Sequence, residues 1–244
     1  MKKILIFVII LFPILLLSKT LTFVATQFPP YVYSEHNKIK GFNVEILNEI
    51  FRRMNVKVDY LILPWARGVK MVKNGEADAI FPFFKNEERL KFADFSQSFT
   101  SEPIAMFVQK DSTILYEGNL SKLSNYSFGR VIGYSSGEKF DNAVENNILK
   151  IQKVRSSKLN IRKLFKNRFD ILVDNKYSIL YEIKKLNQQN KIKQLKPILA
   201  DTKAYLGFSK KRNHKEIIKR FNIILKNIKK DGTYDKIIDS YFEK

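Results

Sequence analysis

Two short polar runs carry the side chains with most chemistry to offer. Lys85-Asn86-Glu87-Glu88-Arg89 follows the acidic-apolar run Ala77-Asp78-Ala79-Ile80-Phe81, and Tyr134-Ser135-Ser136-Gly137 joins Gly129-Arg130-Val131-Ile132-Gly133 to a helix predicted to open near Gly137. Both lie at the carboxyl ends of predicted strands, where open α/β sheets hold their ligands. Amide N–H groups at a helix start favour an anion, so the second run offers a clamp for a carboxylate. Cysteine is absent, and only His36, in a predicted loop, and His214, at a helix start, are present. Cys nucleophiles and thiolate metal sites are excluded, no His pair has ligand spacing, and a His-based triad is disfavoured. The chemistry on offer is polar recognition, with no metal or cofactor implied.

The elements that must position these runs occur twice. From Leu21 to Phe81 the chain reads as a strand (Leu21 to Ala25), a Pro-rich loop, a helix opening at Gly41, a strand (Val56 to Leu63), a short helix closed by Gly75, and the strand ending at Phe81. From Ser127 to Asp174 the order returns: strand, helix near Gly137, strand (Leu149 to Lys153), helix (Lys158 to Asn167), and the strand Phe169-Asp170-Ile171-Leu172-Val173. Phe42, Ile46, Leu47, Ile50, Phe51 and Met54 share one helix face, so this helix packs on a sheet. Two alike β-α-β-α-β lobes imply a cleft, and clefts bind ligands. Ile104 to Gln109 leaves the first lobe and Tyr205 to Ser209 returns to it, and two extended crossings suit hinged lobes. The expected division is 20–108 plus 206–244 for lobe one and 109–205 for lobe two, the last two helices carrying the stripe Ile217, Ile218, Phe221, Ile224, Leu225, Ile228.

Length and composition agree with two small lobes: 244 residues, 45% hydrophobic, enough for packed cores. Lys2-Lys3 followed by the apolar run Ile4 to Leu17 and then Ser18-Lys19-Thr20 has the layout of a secretory signal over residues 1–19 and is short for a membrane span. Export without disulfides follows, and a lipid-modified Cys is excluded. The formal charge of +20 is compatible with anionic partners. Its Lys residues are scattered among Glu and Asp, as on a solvated surface, so nucleic acid is not an expected partner.

Five features in order resemble family 3 of the bacterial extracellular solute-binding proteins, the periplasmic receptors of polar amino-acid ABC importers. They are Phe28-Pro29-Pro30-Tyr31 with Gly41-Phe42-Asn43-Val44-Glu45, Trp65 with Gly75-Glu76-Ala77-Asp78-Ala79, Glu88-Arg89 with Asp94-Phe95-Ser96, Lys230-Asp231-Gly232-Thr233-Tyr234, and Tyr241-Phe242. The resemblance implies a two-lobed Venus-flytrap fold, with the C-terminal helices packed on lobe one, that closes on a small carboxylate-bearing ligand and hands it to an inner-membrane ABC permease. It implies that Arg89 grips the ligand's carboxylate, a task suited to a planar guanidinium, and that Phe28 covers the ligand, with Tyr31 and Trp65 completing the wall. Arg67 is a second candidate cation. Ser135 and Ser136 belong to the lobe-two clamp beside Tyr134. Asp174 or Asn175 stands where the family commonly places an Asp for the ligand's ammonium. Counting back from Leu180-Tyr181 selects Asn175, counting forward from Asp170 comes nearer Asp174, and chemistry favours Asp174, because a desolvated ammonium needs a charge partner. Phe84 and Asn86 replace the hydroxyl residues usual upstream of the Arg, so the ligand is an altered one or is held in an altered pose.

Two other classes remain open at this level. An exported enzyme on the same fold, dehydratase-like, would need an acid or base in the cleft, for which Glu138 and Asp174 are available. A sensor lobe would signal through a separate membrane receptor. A monomer is the expected state for a body that opens and closes.

Overall fold

The computed structural model describes residues 20–133 and 135–242. The expected leader and Tyr134 therefore lie outside the described residues.

Lobe one begins with β1 (Leu21–Ala25), a hairpin of β2 (Tyr33–Glu35) and β3 (Lys38–Lys40), α1 (Phe42–Arg53), β4 (Val58–Ile62), α2 (Trp65–Asn74), β5 (Ala79–Phe83), α3 (Glu87–Leu90) and β6 (Ala93–Phe95). β1 lies between β4 and β5, parallel to both. Side chains alternate across a strand, and the sequence exploits both faces. Phe23 and Phe81 enter a core with Ile46, Leu47, Ile50 and Phe51 of α1. Their neighbours Val24 and Ile80 meet Val72 of α2 on the other face. α1 ends where Asn55 turns left-handed at φ 54°, and α2 where Gly75 does at φ 80°, a conformation that Gly and Asn tolerate best.

The chain then crosses on β7 (Thr100–Gln109) and builds lobe two from β8 (Ser127–Val131), α4 (Glu138–Glu145), β9 (Lys150–Val154), α5 (Ser157–Phe165), β10 (Ile171–Asn175) and α6 (Lys176–Lys185). β8 runs parallel to β9 and β10, while β7 lies antiparallel to β10. Met106, Val108, Ile171 and Val173 face Phe128 and Phe140. Ala105, Phe107 and Leu172 face Ile161, Leu164, Ile179 and Ile183 of α5 and α6.

The return strand β11 (Ile192–Ser209) is 18 residues long. Its residues from Ile192 to Ala204 pair with β7, and Tyr205 to Ser209 pair antiparallel with β5 and β6. The β7–β11 ladder runs from Gln109↔Ile192 to Thr100↔Ala204, with a register shift between Leu195 and Ala200, so the two crossings form one two-stranded ribbon. α7 (Lys215–Lys230) and α8 (Thr233–Phe242) then pack back on lobe one through Phe221, Leu225, Ile228 and the partly buried Ile237, Ile238 and Tyr241.

The strands and helices of the repeat stand where the sequence places them, to within a residue or two, and the two crossings end where expected, at Gln109 and Ser209, but start earlier, at Thr100 and Ile192. The lobe boundary at 108 is corrected: Ala105 to Val108 pack in the lobe-two cores, because the strand's apolar alternation is satisfied there. The β2–β3 hairpin, α6 and the full length of β11 have no counterpart in the sequence reading.

One contact fixes the lobe-two layers. A Cβ at Gly129 would lie 2.2 Å from the Phe169 ring and 2.4 Å from Asn160 Oδ1, and Asn160 Nδ2 donates to Gly129 O at 3.1 Å. Gly129→Ala should destabilise the protein by about 1–3 kcal/mol through overpacking, read as a lower midpoint in urea unfolding.

Candidate functional site

A cavity of about 890 Å³ opens between the lobes. Gln27, Phe28, Pro29 and Phe84 line it from lobe one, and Glu102, Ile104, Ala200 and Thr202 from the ribbon. Lobe two contributes Val131, Gly133, Ser135 and Gly137, the segment Arg155 to Lys158, and Asn175, Ser178, Glu182 and Lys185.

The aromatic wall is built from the loop after β1. Phe28 N–H donates to Val32 O at 2.7 Å and Val32 N–H returns to Phe28 O at 3.0 Å, closing a tight turn that places Tyr31 beneath Phe28. The rings stack with centroids 4.6 Å apart, 3° from parallel. Tyr31 is 0% exposed. Its hydroxyl accepts from Asn175 Nδ2 at 2.9 Å and donates to Ser101 O at 3.2 Å, and burial raises its pKa well above the ordinary value. Phe28 thus faces the cavity while Tyr31 supports it. Trp65, expected in the wall, is 39% exposed and packs beside Phe83 at 5.7 Å.

Arg89 is held by three devices. Asn86 Oδ1 accepts the Arg89 N–H at 2.9 Å, capping α3. The guanidinium lies over the rings of Phe83, 4.4 Å from its centroid, and Trp65, at 5.1 Å, a favourable cation–π arrangement. Nη1 donates to Phe84 O at 2.8 Å. Phe83 can occupy its place because Gly207 has no side chain; a Cβ there would be 2.5 Å from the ring. Among the described residues no carboxylate pairs with Arg89. Burial lowers its pKa, opposed by Glu88, but a guanidinium stays charged. Arg89 stands behind Phe84, one hydrogen bond from the cavity wall, and is not itself among the lining residues. Arg67 is exposed on α2 and also lies outside the lining.

In lobe two, donors of the 135–137 loop are already engaged. Asp141 in the first turn of α4 accepts from Ser135 Oγ at 2.5 Å and from Ser136 N–H at 3.2 Å, and pairs with Arg130. Ser136 is buried and outside the lining, whereas Ser135 lines the cavity. The expected anion clamp therefore holds the chain's own carboxylate at the Ser136 amide.

Asp174 and Asn175 end β10 on opposite faces of the strand. Asn175 lines the cavity, binds Tyr31 and caps α6 by accepting from Ser178 N–H at 3.0 Å. Asp174 turns into lobe two, 4% exposed; Oδ1 accepts from Asn175 N–H at 2.8 Å and Oδ2 has no hydrogen-bond partner. Burial pushes its carboxyl up to about 6, offset in part by the Ser157 hydroxyl and the Asn175 amide. Of the two, Asn175 lines the cavity and Asp174 does not. Glu138, the other candidate acid, is exposed and outside the lining.

Three contributors escaped the sequence reading: Glu102 on the ribbon, the run Arg155 to Lys158, and Glu182 with Lys185 on α6. The second follows β9 directly, so the strand-end rule that selected 85–89 and 134–137 also selects it. Ser156 Oγ accepts from Leu159 N–H at 3.3 Å and caps α5 there.

Two α/β lobes joined by a ribbon around a polar cavity define a solute-binding protein. The chain belongs to the bacterial extracellular solute-binding proteins, family 3, whose profile it matches over residues 22–244. It is 22% identical over 214 residues to the probable amino-acid-binding protein YxeM of Bacillus subtilis, covering 87% of this chain and 80% of that protein. It is 23% identical over 220 residues to a probable histidine-binding protein of Neisseria gonorrhoeae, covering 89% and 81%. Its fold is similar to that of substrate-binding domain 2 of Lactococcus lactis GlnP in the open conformation, with a TM-score of 0.78, 20% identity, and coverage of 92% of this chain and 96% of that one.

Asp174 gives the site a measurable signature. Its carboxyl is raised in the folded state, so the native protein holds this proton more tightly than the unfolded chain. Its stabilising contribution is complete below the ordinary carboxylate range and is lost as pH rises through about 6, a change of about 3 kcal/mol. Unfolding free energies measured from pH 4 to 7 should therefore fall less steeply in Asp174→Asn than in the parent. Equal slopes would contradict the buried, under-partnered carboxyl.

Proposed function

We propose that the chain is exported by its N-terminal leader, captures a small carboxylate-bearing ligand, an amino acid or close relative, and delivers it to an ABC-type permease of the inner membrane. The observation that carries this reading is Arg89, a cation without a counter-ion among the described residues, held over two rings behind the Phe84 wall of the interlobe cavity. A planar guanidinium in a partly dry setting is suited to a carboxylate and poorly served by water alone. The relatives' names, amino-acid-binding and histidine-binding, support the ligand class.

The work is binding, with no bond made or broken. Phe28 and Phe84 supply apolar area from lobe one, Asn175 and Ser135 bring polar wall from lobe two, and the ribbon flexes between them. The ligand favours closure only by as much as it binds the closed form better than the open one. The permease then reads the closed monomer.

The test is calorimetry and thermal shift on ligand-stripped protein with the amino acids and small carboxylates as probes. At least one probe should raise the melting temperature, since selective binding stabilises the folded state. Arg89→Ala should weaken that probe by about 2–5 kcal/mol. A panel that leaves the melting curve unmoved, or an Arg89→Ala variant with undiminished affinity, would sink the reading.

A further inference from the structure

The ribbon places a carboxylate inside the cavity that nothing in the described chain neutralises. Glu102 and Ile104 of β7 pair with Thr202 and Ala200 of β11, and all four line the cavity, as strand alternation requires of positions two apart. Ser101, Asp201 and Lys203 fall on the opposite face, where Lys203 Nζ pairs with Asp201 at 2.7 Å. Among the described residues, the Glu102 side chain has neither an ion pair nor a hydrogen bond. It is half-buried, and its titration moves up to about 7 on burial alone.

The groups around it sharpen this. Beneath the Phe28 turn, the Tyr31 hydroxyl is electrostatically coupled to Glu102 and is itself kept neutral by burial. α6 presents Glu182 and Lys185 to the cavity, and the start of α5 presents Arg155 and Lys158. Lobe two therefore brings three cations and one carboxylate to the wall, whereas the ribbon brings one carboxylate and no cation. Asn175, the lobe-two polar group next to Tyr31, is neutral, and Asp174 faces away.

We propose that Glu102 is the counter-ion for a cationic nitrogen of the bound ligand, so that the site selects amine-bearing carboxylates over simple acids. The proposal rests on the solute-binding reading above and adds the residue that sets its ligand class. A cation brought into a partly desolvated cavity needs a charge partner, and Glu102 is the wall carboxylate not accompanied by a cation on its own element. Binding fixes Glu102 in its ionised form and expels its proton.

The experiment is calorimetry on the full mature chain and Glu102→Gln at pH 6, 7 and 8, in two buffers of different ionisation enthalpy. The probes are glutamine, histidine and arginine, each beside its 2-hydroxy acid lacking the α-amine. For the amino acid that binds, affinity in the parent should rise about tenfold from pH 6 to 8, with proton release near pH 7. Glu102→Gln should bind it about tenfold more weakly or worse, release no proton, and bind the hydroxy acid as the parent does. The arginine hydroxy acid, which keeps a side-chain cation at every pH used, is the one exception allowed: if it retains the Glu102 dependence, the side-chain cation is the partner; if it loses it with the others, the α-ammonium is. Equal affinity and equal proton release in parent and variant would refute the Glu102 role while leaving the solute-binding reading intact. No binding of any probe by the parent refutes both. Should the variant not fold, a parent affinity that is flat from pH 6 to 8 overturns the role by itself.

Discussion

Everything in this molecule hangs on the β7–β11 ribbon. Its two strands supply an edge to the sheet of each lobe, so neither lobe's core is complete without it: Met106 and Phe107 enter opposite faces of lobe two, while Leu206 and Phe208 enter lobe one. A sheet strand must bury its side chains in alternation or lose the burial, about 25 cal/mol per Å² of apolar surface. The ends of the ribbon are fixed by that rule. Its middle, where no core lies on either side, is free to carry Glu102 and Thr202 into the cavity, and the same ladder that joins the lobes lines their ligand site.

The site is assembled from groups the fold leaves incompletely satisfied. Among the described residues, Arg89 rests on Phe83 and Trp65 and donates to a carbonyl but lacks a counter-ion; Glu102 lacks one too; Asp174 keeps an unpartnered oxygen. A half-dry charge with no partner destabilises a fold, and most proteins pair or hydrate such groups. Here two of them flank one cavity with opposite sign. By contrast Asp78, deep in lobe one, is fully engaged by Arg212 at 2.7 Å and the Thr22 amide at 2.8 Å, and Asp141 is engaged by the 135–137 loop. Those carboxylates hold structure; the unpaired charges are available to a ligand.

Much of the fold was readable because burial leaves a period in the sequence. The repeated order of strands and helices, the α1 stripe and the Gly75 stop all report local or same-element rules. What escaped depended on partners distant in the chain. Residues 192 to 204 carry Lys193, Lys196 and Lys203 and include Pro197, so nothing local announces a strand whose stability comes from its ladder with β7. The serine loop offered donors, but that Asp141 would take them is a matter of α4's rotation. Asp174 and Asn175 differ by one step of strand phase, and one step reverses the face, but both faces of β10 are buried, so no local rule stood against the chemical preference for the acid. Arg89 was legible as a cation in a strand-end loop, while its seat over Phe83 required Gly207, more than a hundred residues away.

The contacts between lobes, apart from the ribbon, gather on one flank. Asn175 binds Tyr31, the Ser178 hydroxyl donates to Pro29 O at 3.4 Å, Lys184 donates to Tyr241 O at 3.0 Å, and Phe242 stacks on Tyr177 with centroids 5.0 Å apart. Three of the four come from α6 and the fourth from its N-cap, Asn175, so this helix is the surface on which lobe two meets the Phe28 turn and the last helix. Single hydrogen bonds of this sort contribute only about 0.5–1.5 kcal/mol net, and an aromatic pair a similar amount, so the flank guides relative motion without locking it. On the proposed reading, Glu102 in the cavity and Arg89 behind its Phe84 wall disfavour closure while the site is empty, because bringing lobe two over them removes water and supplies no counter-charge. A ligand carrying both signs reverses that cost, so the charges left unpaired by the fold make closing conditional on the occupant.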